Sequence, residues 1–342
     1  MLVLSLAFAG WAFWRSRQTP APPPVTVAQV PTQTAPPPPP LTYSCPLDGS
    51  QQTNKANTLN RPIVVQIDNA PDARPQWGLS QADIVYEEMA EGQITRFSAI
   101  FACHDASTVG PVRSARMIDL ELAPEYGALL SDSGSSQGVT ANLDAAPDIP
   151  NITDSTFPTA YHRTTDRYAP HNLITSTAGI RKAVAAAGVP TQANLEGPQF
   201  KTDSPGPATV KTIKVDYSPW ADISYTYDQA SNSWLRFNGG KADTDALTGK
   251  QIAPKNVIIQ YVQVLDSGIV EDASGEHGLQ FTLTGSGKVQ IFRDGQVLSG
   301  QWQRQSKGAI TSYIDANGNP IPLDVGQTWI EVVPTDFQAS WG

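Results

Sequence analysis

The chain has 342 residues, 40% of them hydrophobic and 16% charged, with a net charge of −9. That length suffices for two ordinary domains with cores of their own. Arg15, Arg17 and Lys55 against Asp48 leave the first 60 residues at +2, so the remaining 282 carry −11. An acidic body argues against nucleic acid as a partner, because phosphates are gripped by many Lys and Arg that displace counterions. It also argues against adsorption to an anionic lipid surface.

Residues 2–14, LVLSLAFAGWAFW, are apolar throughout but short of the ~20 that a membrane-spanning helix needs. They fit the hydrophobic region of a signal peptide or a weak anchor, giving a signal or anchor segment over 1–19. The basic Arg15 and Arg17 follow this run instead of preceding it, which predicts a true start further upstream. Residues 20–40 hold ten prolines in 21 positions, a composition that folds into nothing compact and predicts an extended stalk over 20–42. An apolar start, a stiff spacer and a folded body describe a protein held off the outer face of a membrane. The chain then either stays on the cell membrane through this segment or is secreted after cleavage.

The first folded region is expected over 43–208. RPIVVQID, 61–68, is β-branched and reads as a buried strand ending on Asp68. That carboxylate serves either chemistry or a loop-capping Asx turn. ADIVYEEMAEGQITRFSAIFAC, 82–103, reads as a hairpin turning at EGQ. Period-two alternation puts Glu87 and Glu91 on one strand face. They are either an acid/base pair or partners for Arg96. In GPVRSARMIDLEL, 110–122, Arg113 and Arg116 would project from one helix face with Asp119 a turn on. Forked guanidinium groups there would clamp a phosphate or carboxylate. Alternatively they form an ion-pair lattice, Arg116 with Asp119 and Arg113 with Glu87 or Glu91.

GALLSDSGSSQGV, 127–139, reads as a strand entering a Ser/Gly loop without the G-x-S-x-G pattern of a nucleophile elbow. YHRTTDRYAPHNLITS, 161–176, gathers His162, Arg163, Asp166, Arg167 and His171, and His171 is the candidate to assist an acid or base. A helix follows, capped by Ser176 and stopped by Gly188. The Pro- and Gly-rich stretch 196–210 marks a boundary. Beyond it, β-patterned runs and the Asp-Gly turn of RDGQ predict a mainly antiparallel β domain over 209–342. The fold class is thus α+β, an N-terminal mixed α/β domain followed by that β-rich domain. DANGNPIPLD, 315–324, lacks the twelfth-position glutamate of a calcium loop and reads as a turn.

Cys45 and Cys103 make no CxxC or His/Cys zinc spacing, and no metal or other cofactor is expected. In an exported chain they form either one disulfide or two separate buried thiols.

Several of these stretches together resemble the YerB-like lipoprotein family, domain of unknown function 3048. They are RPIVVQIDNAPDARPQWGLSQADIVYE, EGQITRFSAIF, GPVRSAR and RYAPHN, then FRDGQVLSGQW and GQTWIEVVP. The resemblance runs from Cys45 to Pro334 and implies an extracytoplasmic, membrane-tethered, two-domain envelope protein. It implies no reaction, so no catalytic residue is carried over. Cys45 stands after the stalk in TYSC, a poor lipobox, which points to tethering by the N-terminal segment in place of lipidation.

Two functions are expected. One is a binding or scaffold protein whose Arg74, Arg96, Arg113, Ser114, Arg116 and Arg167 hold an anionic or glycan ligand, with a cell-wall polymer or envelope protein as partner. The other is an envelope glycan hydrolase or transferase using Asp68, Glu87 or Glu91 with His171.

Overall fold

The computed structural model describes residues 42–201, 206–272 and 274–342. The expected anchor and the stalk up to residue 41 lie outside them. Leu41–Gly342 forms a compact unit. Its fold is α+β and sheet-rich, with three α-helices among the described residues. None of those helices is long and apolar enough to cross a membrane.

Strands β1 (Ile63–Asp68), β2 (Ile84–Met89), β3 (Thr95–Phe101), β4 (Leu129–Asp132) and β5 (Asn151–Thr153) come from the first half. Strands β6 (Thr212–Ser218), β7 (Ala221–Asp228) and β8 (Ser233–Asn238) follow the boundary segment. Then come β9 (Asn256–Val270), β10 (His277–Thr282), β11 (Gly285–Arg293), β12 (Gln296–Arg304), β13 (Ser312–Ile314) and β14 (Thr328–Pro334). Eleven strands share one sheet in the order β13-β12-β11-β9-β14-β2-β3-β1-β4-β5, with β10 pairing β9 off that path. Both sides of the expected boundary near residue 208 therefore build the same sheet. The seam is parallel, β14 on β2 through Thr328↔Ile84 to Glu331↔Glu87.

Alternation sorts the side chains. One face carries Val64, Tyr86, Ile100, Leu130, Ile258 and Ile330. It is covered by α1 (Asp119–Glu125) and α2 (Gln137–Asp144), through Leu122 and Val139 among others. The opposite face carries Ile63, Val65, Val85, Phe97 and Trp329, covered at one end by Ile180 and Val184 of α3 (Thr177–Ala186). At its other end Val257, Ile259 and Val333 pack against Ile213, Ile223 and Trp234. Those belong to a second, five-stranded antiparallel sheet built on β8, β7 and β6.

Local signals act as the residue chemistry dictates. Ser176 caps α3 by accepting from the Gly179 N–H at 3.1 Å. Asp294 and Gly295 both take positive φ at the β11–β12 turn, as a two-residue hairpin requires. Asp315 accepts from the Asn317 and Asn319 N–H groups, each at 2.8 Å, and makes a turn. The expected helix through Arg113 and Arg116 is a correction: α1 begins only at Asp119.

Cys45 and Cys103 are joined as a disulfide, with Cα atoms 5.9 Å apart and a sequence separation of 58. Loop-closure entropy for that separation is worth about 4 kcal/mol. Cys45→Ser with Cys103→Ser is expected to lower unfolding free energy by roughly that amount, read from urea transitions of the two forms.

Candidate functional site

The polar residues of the first face gather at the carboxyl ends of β1 and β4, which run parallel. This is where open sheets with parallel strands place their ligands. Asp68 ends β1, Asp132 ends β4, and Glu88 and Arg96 stand opposite each other on β2 and β3. Asp68 is also the register partner of Arg96.

The segment Gly110–Arg116 is extended beside these strand ends. The Asp68 N–H donates to the Pro111 carbonyl at 2.9 Å and the Arg113 N–H to the Gln66 carbonyl at 2.9 Å. On the far side the Ala115 N–H donates to the Gly134 carbonyl at 2.9 Å. Gly110 is needed where this segment enters: its φ is 148°, and a Cβ there would meet the Leu173 carbonyl oxygen at 2.8 Å. From this segment the Arg113 side chain reaches Asp68 and the Arg116 side chain reaches Glu91.

Asp68, fully buried, serves both of its expected roles. Its Oδ1 accepts from the Ala70 N–H at 3.0 Å, an Asx turn. Its Oδ2 lies 2.7 Å from His171 Nδ1 and 3.1 Å from Arg113 Nε. The side chains of His171 and Arg113 are 21% and 28% exposed. Arg116 makes a two-pronged pair with Glu91, Nε to Oε1 at 2.6 Å and Nη2 to Oε2 at 2.7 Å. Ser114 takes part through its carbonyl, which accepts from Arg96 Nη1 at 2.9 Å.

Arg96 is 1% exposed. Among the described residues no carboxylate comes within 4.0 Å of its guanidinium, and its Nε has no hydrogen-bond partner. Burial, reinforced by Arg116 nearby, pulls its pKa down to about 10.

Beneath the arginines lie Asp119, expected as a partner of Arg116, and two acids that sequence reasoning did not single out, Glu88 and Asp132. Gln66 donates to Ser98 Oγ at 2.5 Å and Asp119 Oδ1 at 2.6 Å, and Ser98 donates to Glu88 Oε1 at 3.1 Å. Burial and Asp119 push the Glu88 carboxyl well above its usual range. Burial raises Asp119 to about 6. Burial and Asp119 raise Asp132 to about 8. Among the described residues Glu88 Oε2 and Asp132 Oδ2 have no hydrogen-bond partner. Raised in this way, Asp132 holds its proton at neutral pH and adds no negative charge beside the arginines. A two-residue period does mark Glu88, since it must face oppositely to Glu87.

The second half contributes as well. β9 and β10 continue beyond the sheet as a hairpin arm. Near its tip Glu271 Oε2 lies 3.6 Å from Arg116 Nη1, and Glu276 accepts from the Gly92 N–H at 2.6 Å.

Other expected residues lie elsewhere. Glu87 is on the opposite face, fully buried, bonded to Arg236, which also holds Asp243. Tyr225 and Tyr217 donate to Glu331 in the same network. Glu87 and Glu91 do not share a strand face, because β2 ends at Met89 and Glu91 begins the turn. Nor does Arg116 pair with Asp119 through its side chain: Asp119 Oδ2 accepts from the Arg116 backbone N–H at 2.7 Å. Arg74 donates to Asn69 Oδ1 at 2.9 Å and to the Trp220 carbonyl at 2.9 Å. Arg167 stacks 3.8 Å over the Trp77 ring and donates to the Ala73 and Pro75 carbonyls. These two brace the loop after β1.

Two family models match the chain, both described as protein of unknown function, DUF3048: the N-terminal domain over 47–190 and the C-terminal domain over 213–330. The chain belongs to the DUF3048 family. A relative, the putative lipoprotein YerB of Bacillus subtilis (strain 168), is 35% identical over 294 residues, 84% of this chain and 86% of that protein. The crystal structure of YerB protein from Bacillus subtilis matches with a TM-score of 0.77 at 32% identity, covering 88% of this chain and 99% of that one. Of the two DUF3048 domains, the N-terminal one holds the arginine cluster and the C-terminal one supplies Arg236 and Glu271.

Arg236→Ala should cost roughly 3–5 kcal/mol, because it leaves Glu87 buried and unpaired. Arg113→Ala should cost less than about 1 kcal/mol, as expected for a partly exposed pair. Urea unfolding followed by tryptophan fluorescence measures both. Asp132 binds its proton more tightly in the folded chain, so its contribution to stability falls as pH rises from about 4 to about 8 and is level above that. Asp132→Asn should therefore raise stability at pH 8.5 by at least about 1 kcal/mol and leave it nearly unchanged at pH 4.

Proposed function

We propose that this chain is an extracytoplasmic cell-envelope protein, held at the membrane by its N-terminal segment, that binds an anionic ligand at Arg96, Arg113 and Arg116. A wall-polymer fragment is the ligand class that suits that location. The location rests on the apolar start and proline stalk, and on a relative named as a putative lipoprotein. The observation that carries the binding role is Arg96, a guanidinium taken out of water with no carboxylate within 4.0 Å among the described residues. A buried charge is ordinarily paired, because desolvation costs several kcal/mol. On the other face Arg236 meets that need with Glu87 and Asp243. At Arg96 an incoming phosphate or carboxylate would meet it, joined by the part-exposed Arg113. Arg74 and Arg167 would shape the rim through the loop after β1.

A second reading, a hydrolase or transferase acting on envelope glycans, is favoured by the Asp68–His171 pair. A buried carboxylate on Nδ1 fixes the imidazole and leaves Nε2, which has no protein partner among the described residues, for a proton transfer. Asp68 would orient, His171 would serve as the acid or base, and Glu91 is the remaining carboxylate on that side. Glu87 takes no part in this reading.

Titration of Leu41–Gly342 with poly(glycerol phosphate) oligomers and with soluble peptidoglycan fragments, by calorimetry, tests both readings. Binding that weakens at least tenfold in Arg113→Ala and falls with added salt supports the first. No heat with either probe sinks it. Release of reducing ends that is lost in His171→Ala, with binding retained, would establish the second.

A further inference from the structure

A separate cluster lies where the disulfide ties the start of the folded unit to the end of β3. Asp48 follows Cys45 by three residues and His104 follows Cys103 by one, so the bridge fixes both chain segments relative to each other. Asp83, just before β2, completes the group. One ligand atom from each of Asp48, Asp83 and His104 lies within 4.8 Å of the others. Asp48 and Asp83 are buried, and the His104 side chain is 38% exposed.

The hydrogen bonds leave one atom of each residue turned inward. Asp83 Oδ2 accepts from the Ala102 N–H at 2.6 Å, leaving Oδ1, which is 2.9 Å from His104 Nδ1. The Cys45 sulfur, already in the disulfide, lies 3.4 Å from that same Oδ1. Asp48 Oδ1 accepts from the Ser50 N–H at 2.9 Å and the Ser50 hydroxyl at 2.7 Å, leaving Oδ2 at 3.6 Å from His104 Nδ1. Ser50 Oγ is 3.4 Å from His104 Nε2. Its proton is committed to Asp48, so Ser50 offers Nε2 an acceptor, and Nε2 carries the N–H. In the neutral ring Nδ1 then bears a lone pair, facing two carboxylate oxygens. A proton on Nδ1 bonds it to Asp83 Oδ1, and when a metal cation displaces that proton three lone-pair atoms converge on one point. Separations of 2.9 and 3.6 Å are those of ligands around a cation with bonds of about 2.0–2.2 Å.

We infer that Asp48, Asp83 and His104 bind a divalent transition-metal cation, Zn²⁺ or Mn²⁺, through Asp48 Oδ2, Asp83 Oδ1 and His104 Nδ1. The ligand set, two carboxylates and one imidazole, suits borderline cations. Ser50 and the Ala102 N–H orient the ligands from outside, as supporting hydrogen bonds do at metal centres. The exposed edge of His104 gives the ion a path in and leaves coordination positions for water. Asp105 and Arg181 stand further out and pair with each other at 3.8 Å. The ligands are 35 and 21 residues apart, so no spacing rule could have marked them.

Calorimetric titration of Leu41–Gly342 with ZnCl₂ alone and MnCl₂ alone tests this. One site per chain is expected for at least one of the two ions. His104→Gln and Asp48→Asn should each weaken binding at least tenfold. His277→Ala, which alters the exposed His277–Asp266 pair, should leave it unchanged. Circular dichroism checks that the variants fold. If either does not, proton release by the wild-type chain decides: uptake of metal at pH 6 should expel about one proton from the imidazole, measured in two buffers of different ionisation enthalpy. No binding of either ion, equal binding by the folded variants, or uptake without proton release overturns the inference. In that event the positive charge is an imidazolium alone.

Discussion

The parallel pairing of β14 with β2 makes one sheet from two distant parts of the chain. It places β2 between β14 and β3, with both edges hydrogen-bonded. A strand so enclosed has no access to water on either face, and its residues are nearly all buried. Any charge it carries must be answered by the protein. Glu87 and Glu88 are neighbours on this strand and point to opposite faces, so the demand arises twice, in two unlike settings.

The two settings meet it differently. Below, Glu87, Arg236 and Asp243 form a closed set, with Asn69 and Thr95 on the remaining Glu87 oxygen. Arg236 there has two partners of opposite sign, and Glu331 is held by the Tyr225 and Tyr217 hydroxyls. Above, burial raises Glu88, Asp119 and Asp132, the last to about 8, and Arg96 has no carboxylate within 4.0 Å among the described residues. The paired face behaves as part of the core. The incompletely paired face sits at the ends of parallel strands, beneath a segment whose arginines reach solvent. That contrast within a single strand is why the functional reading belongs to the upper face.

Much of this was legible in the sequence. β1, the hairpin of β2 and β3, the capped α3 and the Asp-Gly turn follow from alternation, capping and turn chemistry, which are local. The gathering of Asp68, His171, Arg96, Arg113 and Arg116 was foreshadowed by polar residues packed into short motifs. What escaped was non-local. A helical stripe was read into Val112–Leu122 because Arg113, Arg116 and Leu120 are spaced for one. The backbone there instead bonds to Gln66 and Gly134, groups that only the sheet brings near. Glu91 was assigned to a strand that in fact ends at Met89. Asp68 and His171 are 103 residues apart, and Glu87 and Arg236 are 149 apart, distances at which no period or spacing operates.

The seam between β2 and β14 also sets a timetable. A ribosome releases the N-terminal strand long before its neighbour, since some 240 residues separate Ile84 from Thr328. During that interval β2 has β3 on one side and an open edge on the other, and Glu87 waits for an arginine not yet made. A nascent chain in this condition is a target for wrong edge-to-edge pairing. The first half can collapse around its own hairpin, but its carboxylate remains unanswered until translation passes Arg236 and its sheet edge open until β14 arrives. The sheet that carries the N-terminal site is therefore incomplete until its last strand is present.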